Sequence, residues 1–89
     1  MSTFELKISS PDGAVFEGQV VSLFVRGIEG ELAVLAGHIP FVTTVADGIC
    51  RILFEDGNEK KGHAGGGILS VADNKVTLLS GSFEWDKGE

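Results

Sequence analysis

Two histidines, one cysteine, a run of three glycines and two glutamates around a glycine are the residues of this chain that could carry chemistry. His38 and His63 come with no His-x-x-x-His or Cys-x-x-Cys spacing, so a metal site would have to recruit carboxylates the sequence does not bring together. They read as two polar loop histidines. Any serine could pair with either histidine on paper, but no Gly-x-Ser-x-Gly elbow surrounds one. Gly65-Gly66-Gly67 lacks the Lys-Ser/Thr ending and the following helix of a phosphate loop, which leaves close backbone packing or a bulge. Cys50, between Ile49 and Arg51 in an apolar run, reads as a small core residue. Glu29 and Glu31 flank Gly30 on an extended segment, so both carboxylates point the same way at the edge of the domain. That is the geometry of a charged docking tip, not of an acid–base pair in a cleft. No catalytic residue, metal site or cofactor is expected.

These residues hang on strands. Phe4, Leu6 and Ile8 alternate with Glu5 and Lys7, the pattern of a half-buried strand. Pro11-Asp12-Gly13 makes the following turn, because Pro sets φ and Gly tolerates a positive one. A brief strand, Ala14 to Glu17, ends at Gly18. A longer one runs from Gln19 to Arg26, with Val21, Leu23 and Val25 on one face and Phe24 standing out on the more polar face. Leu32 to Ala36 is too short for a helix and lies between Gly30 and Gly37-His38-Ile39-Pro40, so it reads as a short buried strand. Phe41 to Ala46 and Ile49 to Glu55 follow, separated by Asp47-Gly48, and the second is apolar on both faces and therefore central. Asp56-Gly57-Asn58 and Asp73-Asn74 mark two hairpins, the second with Val76 and Leu78 facing inward. After Ser80 the alternation stops. The sequence thus predicts one domain over residues 1–80, an all-β antiparallel sandwich or flattened barrel of about eight to ten short strands, and a polar tail over 81–89.

Composition narrows the function. Eighty-nine residues allow one modest core, and 43% hydrophobic content argues against disorder. A net charge of −6, with Lys60-Lys61 as the nearest thing to a basic cluster, excludes a nucleic-acid binder and favours a partner with basic loops. One cysteine forms no internal disulfide and fits a reducing compartment. No signal peptide or membrane-spanning run is visible, so a soluble, cytoplasmic chain is expected.

From Gly27-Ile28-Glu29-Gly30-Glu31 through Leu32-Ala33-Val34-Leu35-Ala36 to Gly37-His38-Ile39-Pro40, with Thr43 and Gly48 beyond, the chain resembles the epsilon subunit of F-type ATP synthases. Asp47 to Ile52, Gly66-Gly67-Ile68-Leu69, Val76 to Leu79, and Phe4 to Ser10 with Phe16-x-Gly18 continue the likeness over about positions 3 to 80. Ala36 departs from it, standing where the family usually has Pro. The resemblance implies a non-catalytic β-sandwich on the central stalk, bound to the gamma subunit and resting on the ring of c subunits. It would couple proton translocation to ATP synthesis, peripheral to the cytoplasmic face of a bacterial inner membrane. By the same resemblance Glu29, Gly30 and Glu31 face the c ring, while Ser10, His38 and Thr43 lie toward gamma. Phe41 is placed with them on the gamma side, and Phe24 and Phe41 are candidates for the apolar surface near gamma. The family commonly continues into a C-terminal helical hairpin that inhibits ATP hydrolysis and in some members binds ATP; this chain is expected to lack both properties. Two other readings compete. Lys75, beside the Asp73-Asn74 turn, is similar in placement to the tip lysine of lipoyl or biotinyl carrier domains, without their flanking pattern. A self-associating structural β domain is the third.

Overall fold

A computed structural model describes residues 2–86. Ten strands follow one another: β1 (Phe4–Ser10), β2 (Gly13–Val20), β3 (Ser22–Gly27), β4 (Gly30–Leu35), β5 (Phe41–Val45), β6 (Gly48–Leu53), β7 (Glu59–Ala64), β8 (Gly67–Ala72), β9 (Lys75–Ser80) and β10 (Phe83–Trp85). No helix occurs among the described residues. The order across the sheet is β10-β7-β6-β3-β5-β8-β9-β1-β2, with β4 on β3. A single rung, Gly27 opposite Val45, joins β3 to β5. The sheet is therefore two layers, β4-β3-β6-β7-β10 and β5-β8-β9-β1-β2, folded face to face. This is the expected all-β sandwich.

Alternation fills the space between the layers. Phe4, Leu6, Ile8, Leu23, Val25, Val34, Cys50, Ile52, Leu69 and Leu78 are all buried, each at 1% exposure or less. A buried Leu, Ile or Phe contributes roughly 1.5–3 kcal/mol against leaving it in water, which makes this cluster the main stabilising term. Asp73 and Asn74 both adopt positive φ, the geometry of a two-residue hairpin turn whose twist matches the flanking strands. Cys50 is buried as expected, and its burial pushes the thiol up to about 12. Because the unfolded thiol ionises near 9, this preference for the neutral form stabilises the fold below pH 9 and is lost as pH rises from 9 towards 12. Alkylation of Cys50 at pH 8 is expected to track global unfolding; labelling at the rate of a free thiol in the native protein would contradict this burial.

Several boundaries differ from expectation. The strand expected to end at Gly18 continues to Val20, and the one expected over Gln19–Arg26 divides at Val21. Val20 and Val21 are consecutive and both buried, because the chain crosses there from one layer to the other; simple alternation cannot show that. Leu32–Ala36 is not a buried strand. Only Val34 of β4 is buried, and Leu35 is 54% exposed, because β4 pairs with β3 alone and lies at a layer edge. The strands are not all antiparallel either: β1 runs parallel to β9. The segment read as a tail contains β10, paired antiparallel to β7. Its rings close the seam between the outer strands of the two layers. Trp85 meets Phe83 edge-on at 4.8 Å and Phe16 of β2 at 6.3 Å, and Lys60 Nζ sits 4.2 Å over the indole. Residues 87–89 of the expected tail lie outside the described residues.

Candidate functional site

The β3–β4 hairpin turns through two residues, Ile28 and Glu29, between the paired Gly27 and Gly30. Gly30 has φ +133°, a backbone region closed to residues with a Cβ, so the tip requires glycine there. Ile28 at this tip is 74% exposed. Gly27, Ile28, Glu29, Gly30, Glu31, Leu32 and Thr43 line an open groove of about 400 Å³.

The two carboxylates line one groove but differ in their partners. Glu31 lies opposite Arg26 in the ladder, and it accepts a hydrogen bond from Arg51 Nη2 at 3.1 Å. Arg51 Nη1 donates to Glu59 at 3.2 Å, and the guanidinium lies 4.5 Å from the centroid of the Phe24 ring. The Glu31 hydrogen bond, reinforced by the charges of Glu31 and Glu59, holds the Arg51 proton still more firmly than usual. Phe24, conspicuous on a polar face, is thus roofed by an arginine. Glu29 has no hydrogen-bond or ion-pair partner among the described residues.

The four residues expected to face gamma are not in one place. His38 packs its ring 4.8 Å from that of Phe41, at the end of the domain where Gly37 N–H donates to Asn74 Oδ1. Ser10 lies at the opposite end, where its hydroxyl accepts from the Asp12 N–H and where it borders a cavity with Ser9, Pro11 and Leu79. Thr43 belongs to the groove at the tip. His63, expected in a loop, is mid-strand in β7 and pairs through Nε2 with Asp47. No cluster of three or more metal-ligating side chains occurs among the described residues. Lys75 is the first residue of β9, directly opposite Ala72 in the hairpin.

A second feature was missed by residue-by-residue reading. On the outer face of β5, β8 and β9, Thr44 stands opposite Ile68, Ile68 opposite Leu79, Val42 opposite Ser70 and Ser70 opposite Thr77. The six carry no charge. Val42, Ile68 and Leu79 are 71%, 46% and 53% exposed, an unusual amount of aliphatic surface on one side of so small a sheet. The two-residue Asp73-Asn74 turn sets the register that puts Ile68 against Leu79, so this pairing was within reach of the sequence.

A sandwich of this topology, with a glycine-set acidic hairpin tip and a bare aliphatic sheet face, belongs to the class of small all-β modules. Residues 3–86 match the family described as the ATP synthase, Delta/Epsilon chain, beta-sandwich domain, and the chain belongs to that family. It is 42% identical over 83 residues to the sodium ion specific ATP synthase epsilon chain of Acetobacterium woodii, covering 93% of this chain and 62% of that relative's length. A chain in the Euglena gracilis mitochondrial ATP synthase (OSCP/F1/c-ring) superposes with a TM-score of 0.89 at 26% identity, over 96% of this chain and 54% of that one. A chain of the Tetrahymena thermophila mitochondrial ATP synthase central stalk/c-ring shares the fold, with a TM-score of 0.74 at 16% identity, over 89% of this chain and 63% of the other.

Proposed function

We propose that this chain is the sandwich of a non-catalytic central-stalk subunit of an F-type ATP synthase, which grips gamma and rests on the c ring. In that position it helps couple proton translocation to ATP synthesis, peripheral to the cytoplasmic face of a bacterial inner membrane. The observation that carries this reading is the uncharged strip of Val42, Thr44, Ile68, Ser70, Thr77 and Leu79. A rotor clamp needs adhesion that survives rotation, and aliphatic surface supplies it better than exposed ion pairs. Ser10 borders the strip through the cavity it shares with Leu79, and His38 with Phe41 would extend the gamma contact at the far end. Glu29, Gly30 and Glu31, with Thr43 beside them, form the tip proposed to meet the polar loops of the c ring. Charge there sets register and encounter rate more than affinity.

The test is a pull-down with the chain as bait against membrane-free extract and then solubilised membranes of its host. Gamma should be recovered, followed by the catalytic head and the c ring; well-folded bait that retains neither would reject the reading. The carrier alternative predicts a covalently attached cofactor on Lys75 in the intact mass, and the self-associating alternative predicts a stable homo-oligomer. Reversing charge at Glu29 and Glu31 together is expected to lower ion pumping in the reconstituted complex while the isolated domain stays folded. Unchanged pumping would remove the tip from the c-ring contact.

A further inference from the structure

We propose that His63 is a pH-sensitive latch on β10, gripping that short strand when its imidazole carries a proton and easing it when it does not. The latch is independent of the partners assigned above. β10 is the most lightly held strand of the sandwich, three residues long and paired, among the described residues, with β7 alone. Its inward rings are its anchors: Phe83 packs so closely on Gly62 that a Cβ there would lie 2.7 Å from the ring, and Trp85 meets Phe16. Its outward side chain, Glu84, stands directly opposite His63. His63 also pairs through Nε2 with Asp47, in the turn between β5 and β6. One imidazole therefore lies between carboxylates from two separate elements.

The charges around this ring are uneven. Asp47, Glu84 and Asp86 are the carboxylates, the last lining one groove with His63, Glu84 and Ile49. Lys61 stands two residues back on the same face of β7, and Arg26 of β3 lays its stem against Gly48, beside Asp47. Ile49 of β6, opposite His63, adds no charge. Arg51 and Lys60 are engaged elsewhere, the first with Glu31 and Glu59 and the second over Trp85. Three carboxylates thus meet two cations while the imidazole is neutral, and a proton on His63 evens the balance. Histidine is the side chain that changes charge between pH 5 and 8, where carboxylates, Lys and Arg keep theirs. A cross-strand ion pair shifts an equilibrium by about fivefold at most, which is small against global unfolding. The opening of a three-residue edge strand is a far shallower equilibrium, and there the same factor sets how often the strand is open. β10 is held in acid and eased as pH rises towards 8, and with it the indole that closes the aromatic seam.

Hydrogen exchange at the Asp86 N–H, which donates to the Lys61 carbonyl at 2.9 Å, reads the latch directly. Its protection factor, which removes the intrinsic effect of pH on exchange, is expected to be about fivefold higher near pH 5.5 than near pH 8 in the intact chain. The Val21 N–H, bonded to the Leu53 carbonyl at 2.8 Å, is the control and should show no such step. H63Q should abolish the step, E84Q should shrink it, and H38Q, at the other histidine, should keep it in full. High salt should shrink it too, because the charges involved are exposed. Equal Asp86 protection at the two pH values in the wild-type chain would overturn the latch. A step that survives H63Q would assign the titration to another group, and one that E84Q leaves unchanged would remove the handle on β10. A step that Val21 shares would belong to unfolding of the whole domain. Each of these three results equally rejects the proposal.

Discussion

Replacing Ile68 and Leu79 together by glutamate is expected to weaken binding to gamma by at least about 100-fold while the domain stays folded. The two side chains face each other across the β8–β9 ladder and are about half exposed in the free chain. Burying them against a partner supplies the aliphatic centre of the contact. Two carboxylates in their place would be desolvated there without a counter-charge, which costs several kcal/mol on the scale seen for interface centres. In the free domain the same carboxylates would remain in water, so the loss of stability should be about 1 kcal/mol or less. Binding titration and thermal melting of the same preparation separate the two effects. A double variant that binds gamma like the wild type would remove the strip from the interface and leave the proposed function without its main support.

Gly67→Ala is expected to be the most damaging single methyl in the chain. A Cβ built at Gly67 would lie 1.9 Å from the Leu79 carbonyl oxygen and 3.0 Å from Ser80 Cα. Both are backbone atoms of the adjacent strand, so no rotamer change relieves the clash, and the β8–β9 ladder must part at that end. Overpacking of this kind costs about 3 kcal/mol or more, against a total of roughly 4–13 kcal/mol for a domain of this length. The melting temperature should fall by roughly 12 °C or more. Gly66→Ala is the matched comparison: its nearest obstacle, Val45 O, is 3.3 Å away, and its loss should be clearly smaller. Equal melting of the two variants would show that the close approach at Gly67 is not a constraint.

The fold was largely written in local signals. Alternation placed Phe4, Leu6 and Ile8 inward, and the Asp73-Asn74 pair announced a hairpin with its register. What sequence could not supply was which strand lies beside which. The parallel pairing of β1 with β9 joins residues about seventy apart in the chain, as the Glu5 N–H to Asn74 carbonyl bond shows, and no turn connects them. The three-residue β10 was hidden because one turn of alternation, Phe83-Glu84-Trp85, is too brief to separate from loop. The site divides in the same way. Glu29, Gly30 and Glu31 were found because a hairpin tip is local in sequence, whereas the roles of Arg51 and of the Val42–Ile68–Leu79 strip depend on neighbours from other strands. Side-chain facing is period two, but the identity of the facing neighbour is a property of the sheet.

The β1–β9 ladder also dictates when the domain can come into being. Thr3 carbonyl accepts from the Asn74 side chain, and Leu6 and Ile8 lie beside Val76 and Leu78, so the β1–β2 hairpin cannot join the rest of its layer until β9 has formed. Closing so long a loop carries an entropic cost that only the completed core offsets, and such topologies fold slowly and as a unit. A nascent chain halted before β9 holds most of the core residues but lacks the strand that joins β1 to β8. What reaches assembly is therefore a finished sandwich or none at all.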